Sequence, residues 1–222
     1  MNDRKLLMSI FNKLLSHYGP RHWWPARTRF EIIISAILTQ NVSWHNAKKA
    51  LCSLRSAGLL TPMKIISSNH DVIASRIKSS RFYNEKTKKL KTFCSYLLDN
   101  YNGSLNKMFS KDMEALREEL LTIKGFGRET VDSILLYAGK KLSFVSDAYT
   151  ARFLIRLGLI DKSFDYEDIR KYFMDNLPKD LYTYNEYHAL IVHHGWATCK
   201  AKPVCGECVV KRYCQHIKNL TP

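Results

Sequence analysis

Leu121-Thr122-Ile123-Lys124-Gly125-Phe126-Gly127-Arg128-Glu129-Thr130 sets two closely spaced glycines between two segments of helical periodicity. Met113, Leu116 and Leu120 form the apolar stripe before it, and Val131, Ile134, Leu135 and Ala138 the stripe after it, so residues 113–138 read as helix, tight turn, helix. Glycine permits positive φ and removes Cβ, which lets backbone N–H groups at the start of the second helix approach a phosphate. A plain αα-corner has the same outline. The flanking cations tip the reading toward a DNA contact built from Lys124, Gly125, Gly127 and Arg128.

Helical periodicity extends outward in both directions. Leu6, Leu7, Ile10, Phe11, Leu14 and Leu15 form one stripe and Phe30, Ile33, Ile34 and Ile37 another. The spacing recurs at Ala47, Ala50, Leu51 and Leu54, at Leu90, Phe93 and Leu97, at Phe153, Leu154 and Leu157, and at Ile169, Tyr172 and Phe173. Asn102-Gly103, flanked by helical patterns, reads as a helix-terminating turn and not as a hairpin. Strand signals are nearly absent, which makes the fold class all-α. At 222 residues and 45% apolar composition the chain can bury a real core.

Thirty-five Lys and Arg oppose twenty Asp and Glu, a net charge of +15 that attracts polyanions. No apolar run approaches the ~18 residues of a membrane span, and the cations are spread along the chain instead of forming one basic amphipathic helix. Nucleic acid is the expected partner, and no membrane.

Cys199, Cys205, Cys208 and Cys214 stand in a C-x5-C-x2-C-x5-C array that suits one compact metal centre. Tetrahedral zinc and a [4Fe-4S] cluster both take four thiolates. Only Cys205 and Cys208 have the close pairing that structural zinc sites use twice, which favours iron-sulfur. Lys200, Lys202, Lys211 and Arg212 lie between these ligands, where a folded loop would display them to phosphate. Cys52 and Cys94 sit in helical, mostly apolar patterns and read as inert core thiols.

The stretch 121–130 resembles the helix-hairpin-helix of the endonuclease III superfamily of DNA glycosylases. The similarity continues in Tyr18-Gly-Pro-Arg-His-Trp-Trp-Pro25, Ile37-Leu-Thr-Gln-Asn41, Phe82-Tyr-Asn84, Val145-Ser-Asp147 and His194-Gly195, which leads into the cysteines. It implies a six-helix barrel over residues 28–141 containing the hairpin. It also implies a helical domain from residues 1–27 and 142–222 that carries a [4Fe-4S] cluster on the four cysteines. The expected protein is a monomeric enzyme of base excision repair, prokaryotic in type, cytoplasmic and nucleoid-associated, acting on double-stranded DNA with a damaged base.

The same resemblance assigns catalysis to Asp147, whose carboxylate would stabilise the sugar cation formed as the N-glycosidic bond breaks. A helix N-cap is the simpler role for an Asp before a helical run, and the two are compatible. Bifunctional members carry a lysine after the hairpin that attacks the sugar; this chain has Glu129, which cannot form an imine, so water is the expected nucleophile. Trp23, Trp24, Pro25 and Trp44 stand where the related 3-methyladenine glycosylases build an aromatic pocket, a surface suited to cationic alkylpurines. Cluster-less members of that kind have a lysine where this chain has Trp196. Gln40, supported by Asn41, is expected to fill the space left by a flipped base. Lys86, Lys88, Lys89 and Lys91 could follow a phosphate strand or form a solvated face. Removal of oxidised pyrimidines or mismatched bases, or a non-catalytic iron-sulfur role on DNA, are the alternative readings.

Overall fold

The computed structural model describes residues 2–218, and among these every regular element is helical. The chain divides into two compact units, one spanning Trp24–Lys141 and the other formed by the described residues up to Trp23 and from Leu142 onward. Helix α1 (Asp3–Tyr18) belongs to the latter, flanking unit.

The central unit comprises α2 (Arg29–Leu38), α3 (Trp44–Ser56), α4 (Pro62–Ser67), α5 (His70–Arg76), α6 (Tyr83–Tyr101), α7 (Leu105–Phe109), α8 (Met113–Leu121) and α9 (Arg128–Ser133), which continues into a π turn over Ile134–Ala138. Local chemistry marks the starts. Thr28, Thr61, Ser104 and Asp112 each accept a backbone N–H from the first turn that follows, and Pro62 occupies the first turn of α4. Asn102 and Gly103 end α6 in left-handed conformation, φ 53° and 75°, with their N–H groups returning to the carbonyls of Leu98 and Leu97. The stripes of α2, α3, α6 and α9 bury together in one cluster. Two ion pairs cross it: Glu31, 5% exposed, accepts from Arg55, and Arg117 of α8 grips the fully buried Asp132 of α9 with two bonds of 2.8 and 3.0 Å.

In the flanking unit α1 is joined by α10 (Ala148–Leu157), α11 (Tyr166–Asn176), α12 (Leu181–Ala197) and the short α13 (Gln215–Lys218). Leu7, Ile10, Phe11 and Leu14 bury one face of α1, while Phe153, Leu154 and Leu157 bury one face of α10. Phe144 stacks on Phe173 at 4.0 Å between ring centres, and the buried Tyr187 donates its hydroxyl to the Leu7 carbonyl at 2.9 Å. Residues 199–214 form a run of short turns.

Candidate DNA-contact and catalytic sites

The hairpin of the central unit works by alternation. Ile123 and Phe126 are each 6% exposed, and Phe126 stacks on Phe93 at 5.9 Å, so the turn is stapled to the core. Lys124, Gly125, Gly127 and Arg128 between and beyond the staples all face solvent. Gly125 has φ +91°, and a Cβ there would meet the Lys89 side chain at 2.6 Å, so this glycine is demanded by the fold. Gly127 is different: its φ is −92° and a Cβ would meet nothing within 4 Å. No contact within the protein requires glycine at this position. Glu129 is exposed in the first turn of α9, where a carboxylate complements the helix dipole.

Gln40 spends its amide on this hairpin, donating to the Gly125 carbonyl (3.2 Å) and the Thr130 hydroxyl (2.8 Å) while accepting from Lys89. Asn41 follows with φ 54°, a left-handed turn that asparagine tolerates well. The lysines of the α6 start divide. Lys86 is 2% exposed and donates to the carbonyls of Leu38 and Ser80, and burial pushes its ammonium down to about 8, with Lys89 adding to the effect. Lys91 likewise donates to Ile66 and Ser68, whereas Lys88 pairs with Glu85 at the surface. The run is thus partly a set of internal struts and not one solvated face.

Trp24 and Trp44 meet edge to face at 5.6 Å, with Tyr137 at 5.2 Å from Trp24, and the Trp24 indole N–H donates to Ser35 at 2.8 Å. Both tryptophans are half-buried against the core, and Pro25 is exposed. Trp23, also half-buried, is the last residue of the first flanking segment.

In the flanking unit Asp147 is the N-cap of α10. Its Oδ1 accepts the Thr150 N–H at 2.8 Å and the Thr150 hydroxyl at 2.9 Å, while Oδ2 faces His188 Nε2 of α12 at 3.6 Å. The carboxylate side chain keeps 13% of its surface exposed. Burial works to raise its pKa, but His188 and the two Thr150 donors outweigh that, and the net direction is below the usual aspartate range. The group is an anion with little exposure to water. His188 had no signal in the sequence, because only the packing of α10 on α12 brings it there.

All four array cysteines, Cys199, Cys205, Cys208 and Cys214, line one small cavity beside Arg156 and His216. Arg156 donates to the Cys199 sulfur (3.1 Å) and to the carbonyls of Cys199, Lys200 and Ala201, and its own carbonyl faces Cys214. His194, 1% exposed, lies 3.6 Å from the Cys208 sulfur through Nε2 and bonds Tyr18 through Nδ1 at 2.9 Å; burial pushes its pKa down to about 4, so it is neutral. Its place beside His193 in the sequence gave no hint of this contact. Burial pushes the Cys208 thiol up to about 11, with Cys199, Cys214 and Cys205 adding to the effect, so a thiolate there requires a cation. Among the described residues no three donors converge closely enough for a single metal ion. Lys200, Lys202, Lys211 and Arg212 are exposed around this loop. Cys94, by contrast, is buried in the central core with its thiol pushed up to about 12 by burial, as an inert thiol should be.

Comparison with known proteins identifies the relatives of the chain. A family model described as HhH-GPD superfamily base excision DNA repair protein matches residues 34–179. A candidate DNA repair glycosylase of Methanocaldococcus jannaschii is 44% identical over 215 residues, covering 96% of this chain and 97% of that protein. A trapped covalent intermediate of endonuclease III with DNA superposes with a TM-score of 0.85 at 21% identity, covering both chains in full. The 3-methyladenine DNA glycosylase of H. pylori, bound to 1,N6-ethenoadenine, superposes at 0.76 with 27% identity, over 88% of this chain and 98% of that one.

Proposed function

The chain belongs to the HhH-GPD superfamily of base excision DNA repair proteins, and from that premise we propose that it is a monofunctional DNA glycosylase releasing alkylated purines, with Asp147 as the catalytic carboxylate. The observation that carries the proposal is the state of Asp147: a carboxylate kept ionised by His188 and Thr150 although little exposed. Loss of the base leaves positive charge on the sugar, and a pre-formed anion stabilises that charge without reorganising at the moment of reaction. The cap bond uses Oδ1, so anchoring and catalysis fall to different oxygens of one carboxylate.

The other candidate residues support the same reading. The stapled hairpin offers backbone and cations to phosphate through Lys124, Gly127 and Arg128. Glu129 has no amine to offer the sugar, so hydrolysis by water follows and strand cleavage does not. Trp24 and Trp44 present electron-rich rings, which favour a cationic methylated purine over a neutral base. The donor set of the cysteine cavity is that of a [4Fe-4S] cluster, with Cys199, Cys205, Cys208 and Cys214, four thiols lining one cavity, as the ligands. When bound, such a cluster supplies cationic charge that holds the thiolates and frames the basic loop bearing Lys200 and Lys202.

The test is release of free base from duplexes carrying 3-methyladenine, 7-methylguanine, thymine glycol or a G·T mismatch. Preferential release of the methylated purines is the expected result. Preference for thymine glycol or the mismatch would move the assignment to an endonuclease III-like specificity, and no release from any duplex would leave a DNA-binding protein.

A further inference from the structure

Trp196 is 67% exposed. It lines a groove of about 640 Å³ together with Tyr149, Arg152, Gly195 and Lys200. None of the residues lining the groove is acidic. The walls are already built. Arg152 lies over the Tyr149 ring at 5.0 Å and donates to the carbonyls of Gly195 and Cys199 at 3.1 and 3.0 Å, which ties the α10 wall to the end of α12. Gly195 is required by that closeness, since a Cβ there would meet the Tyr149 ring at 2.5 Å and Arg152 at 3.3 Å.

We propose that this groove is a nucleotide subsite that holds one unstacked nucleobase of DNA on the face of Trp196, with its phosphate at Lys200. Two rings and two cations are the composition of single-strand stacking platforms, where every base has a face to offer and the backbone supplies the charge. The net charge of +15 selects a polyanion over an apolar or cationic occupant. The choice of DNA as the ligand rests on the function proposed above.

The experiment is a fluorescence titration of the full chain with oligo(dT) and with an abasic strand of equal length, which keeps the phosphates and lacks the bases. The chain has four tryptophans, so the signal of Trp196 is the difference between wild type and Trp196→Phe. Wild type should show that signal saturably quenched by oligo(dT) and not by the abasic strand. Trp196→Ala should weaken oligo(dT) binding about 10-fold or more and leave the abasic strand nearly unaffected, while Lys200→Ala weakens both alike. Equal affinity of wild type for the two strands, or unchanged oligo(dT) binding by Trp196→Ala, overturns the proposal. Base release from lesion duplexes is read separately. A protein that binds oligo(dT) through Trp196 but releases no base keeps the subsite and loses the glycosylase reading; one that releases base while Trp196→Ala binds normally does the reverse.

Discussion

The hairpin of residues 121–130 and the cysteine loop of residues 199–214 present cations to solvent by opposite means. In the hairpin, Ile123 and Phe126 enter the core beside each exposed basic residue, and the buried Arg117–Asp132 pair locks the two helices together. In the cysteine loop Val210 is the buried apolar anchor among the described residues. Its turns hang instead on Arg152 and Arg156 and on the neutral His194, and its four sulfurs line one cavity. Apolar staples need no ligand, whereas crowded thiols do. The first element should therefore be autonomous and the second conditional. Asp147 stands in the second class as well, since its charge depends on a polar partner and not on burial.

The largest effect should come from that charge. Asp147→Asn keeps the cap geometry and removes the anion, so base release should fall by ~10²-fold or more while lesion-duplex affinity stays within a few-fold. Full activity in this variant would reduce Asp147 to a helix cap. The companion change is His188→Leu, read in the pH profile. With His188 present the carboxyl ionises below the usual range, so activity should persist as pH falls past about 4, the ordinary aspartate value. Without it burial is opposed by the Thr150 donors alone, so the pKa should rise and the acid limb of kcat/KM should move upward. The linked stability has the same sign: in wild type it is present above about pH 4 and is lost as pH falls through the lowered folded value.

Next in size is the autonomous element. Asp132→Ala leaves Arg117 buried without its carboxylate and should cost about 3–5 kcal/mol by urea denaturation. If the loss is under 1 kcal/mol, the hairpin does not depend on that lock. Iron removal or Cys205→Ser sharpens the contrast, because visible absorption should disappear and amide exchange should quicken across 199–214 while 113–138 keeps its protection. Equal loosening of both segments would end the comparison. Smallest is Lys124→Ala, which should lower the slope of log K against log salt by about 1 without altering the preference for damaged over intact duplex.

Local patterns in the sequence were enough for the helices. The stripes from Ile33 to Ile37, from Leu90 to Leu97 and from Val131 to Ala138 are buried as their period requires, and Asn102-Gly103 ends a helix, because each depends on interactions within a few residues. The π turn at Ile134–Ala138 and the short α4 and α5 carried no comparable period.

What the sequence left open was every pairing between distant segments. Lys86 and Lys91 look like members of a solvated basic run until α6 packs beside the carbonyls of Leu38, Ser80, Ile66 and Ser68. Gln40 points to a duplex only by analogy, whereas its amide is bonded to Gly125 and Thr130, eighty-five and ninety positions along the chain. His188, Arg156 and His194 acquire their meaning only from the groups they reach: Asp147, the Cys199 sulfur and the Cys208 sulfur. Periodicity is written in neighbours along the chain and so is legible there. A polar side chain has no preferred partner until packing removes its water and leaves one group within reach.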